Sequence, residues 1–178
     1  GFVVDASGQG GLLSQKLGLR RWDPFFRNLA VYGYFEGARR LPPPDETNIF
    51  IESYVHGWLW TIPLHTGWTS VGAVVDSANG QEAILQRGAH DFLLEQIAQA
   101  PATARMLRDA RLAAGPYVVK DWSYVCQGLV GDGYILAGDA ACFVDPLFSA
   151  GVPLALMAGV LAAAYVTTAL KDAGMREA

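Results

Sequence analysis

The sequence is short of cysteine and histidine. Cys126 and Cys142 are the only thiols in 178 residues, and His56, His65 and His90 are the only imidazoles. There is no C-x-x-C and no histidine pair at ligand spacing, so neither a structural zinc site nor a disulfide framework is expected, and no metal is assigned. Basic residues are also few, 13 against 17 acidic ones for a net charge of −4. Apart from Arg20-Arg21 and Arg39-Arg40 they are scattered, which excludes the basic stripe of a nucleic-acid-binding protein. The first residues lack a basic segment followed by a short apolar one, so no secretory signal is visible and a cytoplasmic location is expected. Also missing is anything ahead of Gly1-Phe-Val-Val-Asp-Ala-Ser-Gly8, which opens inside a strand and its turn. Such a strand needs parallel neighbours reached by crossovers, and the chain is expected to be a fragment of a longer one.

Apolar residues are abundant, at 52%, enough for one domain or two small ones with a sizeable core. From Gly151 to Leu170 there is no charge at all, over about the length of a bilayer span. The run is rich in alanine and glycine, carries Pro153, Thr167 and Thr168, and lacks an aromatic belt or flanking basic clusters. It is read as a helix buried against a sheet, with no membrane; a span is the alternative.

In chain order, Phe2 to Val4 reads as a short strand. Asp5 to Gly11 is a glycine-rich turn leading into a helix over Leu12 to Leu17. Backbone amides in such a turn approach a phosphate, with Ser7 as a further donor, or the turn is an ordinary helix start. Leu29 to Glu36, Asn48 to Val55, Trp58 to Leu64 and Trp68 to Val75 have the β pattern with short links, hence an antiparallel sheet. Loose alternation in Thr69 to Val75 predicts a strand covered on both faces. Helical spacing of Ile84, Leu85, Phe92, Leu93 and Ile97 predicts one amphipathic helix over Gln81 to Ala100. Pro101 starts another over Ala102 to Leu112, with Arg105, Arg108 and Arg111 on one solvated face. Pro116 to Tyr124 is a further strand.

The most informative stretch is Tyr134 to Val152. Tyr134 to Ala137 is an apolar strand, Gly138 permits a tight turn, and Asp139 places a carboxylate where the strand ends. A carboxylate there accepts hydrogen bonds from the hydroxyls of a ribose or ribityl chain. After Asp145-Pro146, the residues Ser149-Ala150-Gly151-Val152 open the long helix, whose first amides lack intrahelical partners and attract anions. Trp58 and Trp60, two apart on a strand, share a face, either as an aromatic wall in a core or as part of a site.

Taken together, Val4-Asp-Ala-Ser-Gly8, the W-x-W-x-I-P signature at Trp58-Leu-Trp-Thr-Ile-Pro63, Thr69-Ser-Val-Gly72, Asp121-Trp-Ser-Tyr124 and Gly138 to Val152 resemble the flavin-dependent halogenases. The similarity is to the branch close to the class A flavoprotein monooxygenases. It implies a mixed α/β fold: the C-terminal part of a Rossmann-like FAD-binding flavoprotein monooxygenase fold with an inserted antiparallel substrate-side sheet. Residues 1–25 and 119–178 would belong to the FAD-binding domain and 26–118 to the sheet and helices of the substrate side, with the ligand between them.

The resemblance also implies a chemistry. FAD, reduced by a separate flavin reductase, and O₂ would convert chloride or bromide into hypohalous acid, which halogenates an electron-rich aromatic or pyrrolic substrate, free or carrier-tethered. Asp5, Gly8, Gly138, Asp139 and Pro146 would bind FAD, and the amides of Ala150 and Gly151 would hold the halide. Trp58, Trp60 and Pro63 would form the catalytic wall that keeps flavin and substrate apart. The family's G-x-G-x-x-G turn and its lysine between flavin and substrate have no counterpart here, and Pro153 stands where relatives carry a polar residue or histidine. A monooxygenase of the same fold, or an inactive fragment, is the alternative reading.

Overall fold

In the structure, a computed structural model that describes residues 1–172, the chain begins with β1 (Val3–Asp5), α1 (Leu12–Lys16), β2 (Arg20–Trp22), β3 (Asn28–Glu36), β4 (Phe50–Tyr54), β5 (Gly57–Pro63) and β6 (Thr69–Asp76). It continues through α2 (Ser77–Arg87), α3 (Ala89–Ala98), α4 (Pro101–Met106), β7 (Arg111–Lys120), β8 (Tyr124–Cys126), β9 (Val130–Gly131), β10 (Tyr134–Leu136), β11 (Cys142–Phe143) and α5 (Gly151–Lys171). Two compact units result. One is Arg27–Asp121, and the other joins Gly1–Phe26 to the chain from Trp122 onward.

The Arg27–Asp121 unit is a five-stranded antiparallel sheet in the order β4-β5-β6-β3-β7. Alternation along its strands sends Leu29, Val31, Leu59, Val71, Ala73 and Val75 to one face, where they pack on Phe92, Leu93 and Ile97 of α3. Each leucine, isoleucine, valine or phenylalanine among them contributes about 1.5–3 kcal/mol by leaving water. The opposite face carries Tyr32, Tyr34, Trp58 and Trp60. As expected from its loose alternation, β6 is buried through seven of its eight residues.

The helices depart from the pattern read in the sequence. Instead of one helix over Gln81 to Ala100 there are two, because Gly88, at φ 83°, ends α2 and starts α3. Asp76 caps α2 by accepting from the Asn79 amide at 3.0 Å. The helix predicted to reach Leu112 stops at Met106. Arg111 and Leu112 instead begin β7, paired with Glu36 and Phe35 on the free edge of β3. Arg105, Arg108 and Arg111 therefore share no helix face, and Arg111 pairs with Glu36.

In the other unit, β1 runs parallel to β10, which also pairs antiparallel with β9. A second small sheet has the order β11-β8-β2. Neither β2 nor the short β8, β9 and β11 shows a periodicity in the sequence, because two or three residues are too few to alternate. Tyr124, Cys126, Leu136 and Ala141 form its buried cluster.

Helix α5 is not buried as expected. Among its residues only Ala162 and Ala169 are buried, while Val152, Leu156, Met157, Val160 and Leu161 are exposed. The strands of this unit are too short to offer a helix-long face. Gly138 packs against Ala155, and Phe2 meets Tyr165 ring to ring at 5.7 Å. By length and composition α5 could cross a membrane, with a mean hydropathy of 1.8.

Candidate functional site

In the unit that holds β1 and β10, two turns stand side by side at the carboxyl ends of adjacent parallel strands. Asp5 lies opposite Leu136 in the register, and the Ala137 amide donates to the Asp5 carbonyl at 2.9 Å. One turn is Gly8–Gly10 after β1 and the other is Gly138–Ala140 after β10. The carboxyl ends of parallel strands are where α/β sheets bind ligands.

The two acids at these turns are used differently. Asp5 is 5% exposed and accepts from the Ser7 amide at 3.0 Å and the Leu13 amide at 2.7 Å. Burial works to raise its pKa, but these hydrogen bonds outweigh it and hold the carboxyl below its ordinary value. Ser7 Oγ takes the Leu12 amide at 2.9 Å. The Asp5 carboxylate thus locks the turn, and its oxygens are already engaged. Gly8 sits in that turn at φ 67°.

Asp139 is the opposite case. Burial alone pushes its carboxyl pKa up, with no hydrogen bond acting to lower it. A carboxylate that the fold desolvates without supplying donors is suited to take them from a ligand's hydroxyls. Beside it begins α5: a Cβ on Gly151 would stand 3.8 Å from Asp139 Oδ1. Ser149, at φ 52°, turns the chain into the helix, Ala150 follows as the N-cap, and no side chain caps the amides. Pro146 accepts the Ser149 amide at 2.9 Å and so shapes this entry. Gly138, Asp139, Ala150 and Gly151 are therefore gathered at one place. Burial, with Cys126 and Asp139 nearby, raises the Cys142 thiol, which leaves it a poor nucleophile.

In the other unit, Trp58, Trp60 and Pro63 lie on β5. The two indoles are 6.0 Å apart by ring centroid. Trp60 Nε1 donates to Ser70 Oγ at 3.1 Å, and Trp60 is paired across the strands with Gly72. Tyr32 continues the row 5.9 Å from Trp60, and Tyr117 lies 5.4 Å from Tyr32. W-x-W-x-I-P and Thr69-Ser-Val-Gly72 are thus two strands of one aromatic surface. On the helix side of the sheet, a cleft of about 500 Å³ is lined by His56, Val75, Ala83, Arg87, Phe92 and Glu95.

Sequence reasoning missed Arg20 and Tyr124, which stack on each other with the guanidinium carbon 3.8 Å from the ring centroid. Tyr124 lay within a quoted motif, but nothing in either residue's neighbours announces the other.

A mixed α/β chain with paired turns at parallel strand ends and an antiparallel aromatic sheet is placed by its similarity to known proteins. The family model described as "Tryptophan halogenase" matches residues 1–175, and the chain belongs to that family. It is 36% identical over 96% of its length to the flavin-dependent halogenase gsfI of Penicillium aethiopicum, of which it covers 34%. It is 35% identical over 93% of its length to the tryptophan 2-halogenase of Chondromyces crocatus, covering 32% of that protein. Among solved structures, the flavin-dependent halogenase CmlS superposes with a TM-score of 0.91 at 37% identity, covering 99% of this chain and 32% of CmlS. The myxobacterial chondrochloren halogenase CndH, an FAD-dependent enzyme, gives 0.86 at 43% identity, covering 96% of this chain and 40% of CndH. The chain spans about a third of the length of these curated relatives.

Proposed function

We propose that this chain is part of an FAD-dependent halogenase that uses reduced flavin, O₂ and chloride or bromide to halogenate an electron-rich aromatic or pyrrolic substrate. The observation that carries this reading is the half-buried Asp139 carboxylate at the end of β10, beside the uncapped start of α5, with Gly151 close to its Oδ1. FAD fits there by its chemistry: its ribityl hydroxyls would donate to the Asp139 carboxylate, and the amides of the Gly8 turn would hold its pyrophosphate. FAD, reduced by a separate reductase, would supply the electrons that activate O₂, and O₂ is the oxidant of the halide. The chain's own contributions are to orient the cofactor through Asp139 and to hold the halide at the Ala150 and Gly151 amides, while Trp58 and Trp60 supply an aromatic surface for the substrate. The substrate is a small aromatic, free or carrier-bound. The protein acts in the cytoplasm without membrane or nucleic-acid partners.

The test incubates the complete gene product with flavin reductase, NADH, FAD, O₂ and chloride across phenolic and pyrrolic substrates. Chlorinated product is expected, and its loss when chloride is omitted. Hydroxylated product alone would reassign the protein to the monooxygenases of the same fold.

A further inference from the structure

The two turns at the ends of β1 and β10 are joined by side chains that no motif singled out. Arg20, on β2, donates from Nη2 to the Gln9 carbonyl in the first turn at 2.8 Å. Its Nε is buried without a hydrogen-bond partner, so the charge is held by the Tyr124 ring, 3.8 Å from Cζ, with Trp22 at 5.6 Å. Tyr124, 3% exposed on β8, donates from Oη to the Asp139 carbonyl in the second turn. Trp22 meets the Tyr124 ring edge-on at 5.3 Å and fixes its rotation. Gly11 leaves the space: a Cβ there would stand 2.2 Å from Arg20 Nη2. The connection runs unbroken from Gln9 through Arg20 and Tyr124 to Asp139.

We propose that Arg20 and Tyr124 are positioning residues, a strut that fixes the separation and orientation of the Gly8–Gly10 and Gly138–Ala140 turns. A ligand that reaches both turns with different groups, phosphate at one and hydroxyl at the other, needs them at a set distance before it arrives, because ordering them on binding would subtract from affinity. The strut touches the backbone of each turn and leaves the Asp139 carboxylate free for the ligand. The proposal rests on the flavin reading for the identity of that ligand, but not for the existence of the strut.

Three variants separate positioning from general stability. Tyr124→Phe keeps the stacked ring and removes only the donor to Asp139. Arg20→Met keeps the packing and removes the donor to Gln9, and Arg20→Lys restores a cation without the planar fork. Hydrogen–deuterium exchange of the ligand-free chain reads the turns directly. Tyr124→Phe is expected to speed exchange at the amides of residues 138–141 while β3, β6 and the melting temperature stay unchanged. In the complete gene product the same change is expected to weaken FAD binding roughly tenfold, the factor one lost hydrogen bond corresponds to. Arg20→Met is expected to loosen both turns, and Arg20→Lys to recover only part of the effect. Exchange that is unchanged in Tyr124→Phe, or faster throughout the unit with a fall in melting temperature, would overturn the proposal. If the unaltered complete protein binds no FAD, the flavin reading fails, and the exchange data alone decide the strut.

Discussion

The indole of Trp60 lies directly over Gly72: a Cβ on that glycine would stand 2.3 Å from Trp60 Cζ2 and 2.6 Å from the Tyr32 Cβ. Because Trp60, Gly72 and Tyr32 are neighbours in the register of β5, β6 and β3, the glycine is the gap through which the aromatic row closes. Adding a methyl group there has no cheap relaxation, since one obstacle is a ring and the other lies next to the backbone. Gly72→Ala is expected to destabilise the Arg27–Asp121 unit by about 1–3 kcal/mol. A urea midpoint, followed by tryptophan fluorescence, that does not move would show that Trp60 can swing aside freely.

Glu52 ties the sheet to α4. Its two carboxylate oxygens accept from the amides of Ala102 and Thr103, at 3.0 and 2.7 Å, and from Thr103 Oγ1 at 2.8 Å. Burial acts to raise its pKa, but these donors, helped by Arg105, outweigh it and hold the carboxyl below its ordinary value of 4.5. A depressed carboxylate contributes stability that is complete above its ordinary value and drains as the pH falls through the folded value. Glu52→Gln is expected to cost about 1–2 kcal/mol near neutrality. The gap should close at a pH below the folded value of Glu52, where both proteins carry a neutral group. Chemical denaturation at the two pH values checks this, and a gap that stays constant would refute the charge-based cap.

The ends of the Arg27–Asp121 unit meet. The Asp121 amide donates to the Asn28 carbonyl at 3.2 Å, and Arg27 Nε lies 3.8 Å from Asp121 Oδ1. With its core drawn from its own strands and helices, this segment is expected to fold when expressed alone, giving dispersed amide resonances and one cooperative thermal transition. A collapsed species without cooperative unfolding would contradict that.

What the sequence made legible follows from how local each signal is. The strands of the aromatic sheet could be read because Tyr32, Tyr34, Trp58 and Trp60 alternate with core residues over five or more positions. The Gly-Asp turn could be read because strand, glycine and acid are contiguous. The break at Gly88 was hidden by apolar spacing that continues across it, and β7 was hidden because the edge of β3 that recruits Arg111 is distant in sequence. The exposure of α5 could not be read, since composition tells how apolar a helix is but not what covers it. Asp5 and Asp139 look alike in sequence, each an acid after a strand. Only the positions of the Ser7 and Leu13 amides show that one is spent on its own turn and the other is open.

On the proposed function, Asp139 is kept as an open carboxylate for a flavin, at the expense of the fold. Burial raises its pKa, so its ionised form costs stability. That cost is absent at low pH, grows as the pH rises from the ordinary value of 3.8 through the raised one, and is complete near neutrality. Asp139→Asn removes the charge and keeps the shape. The decisive measurement is a paired one on the complete gene product: the melting temperature without ligand at neutral pH, and the FAD affinity by quenching of flavin fluorescence. Asp139→Asn is predicted to raise the melting temperature while weakening FAD binding at least tenfold, the worth of about one charge-assisted hydrogen bond. FAD affinity that is equal in the two proteins would contradict the assignment of this turn as the cofactor site.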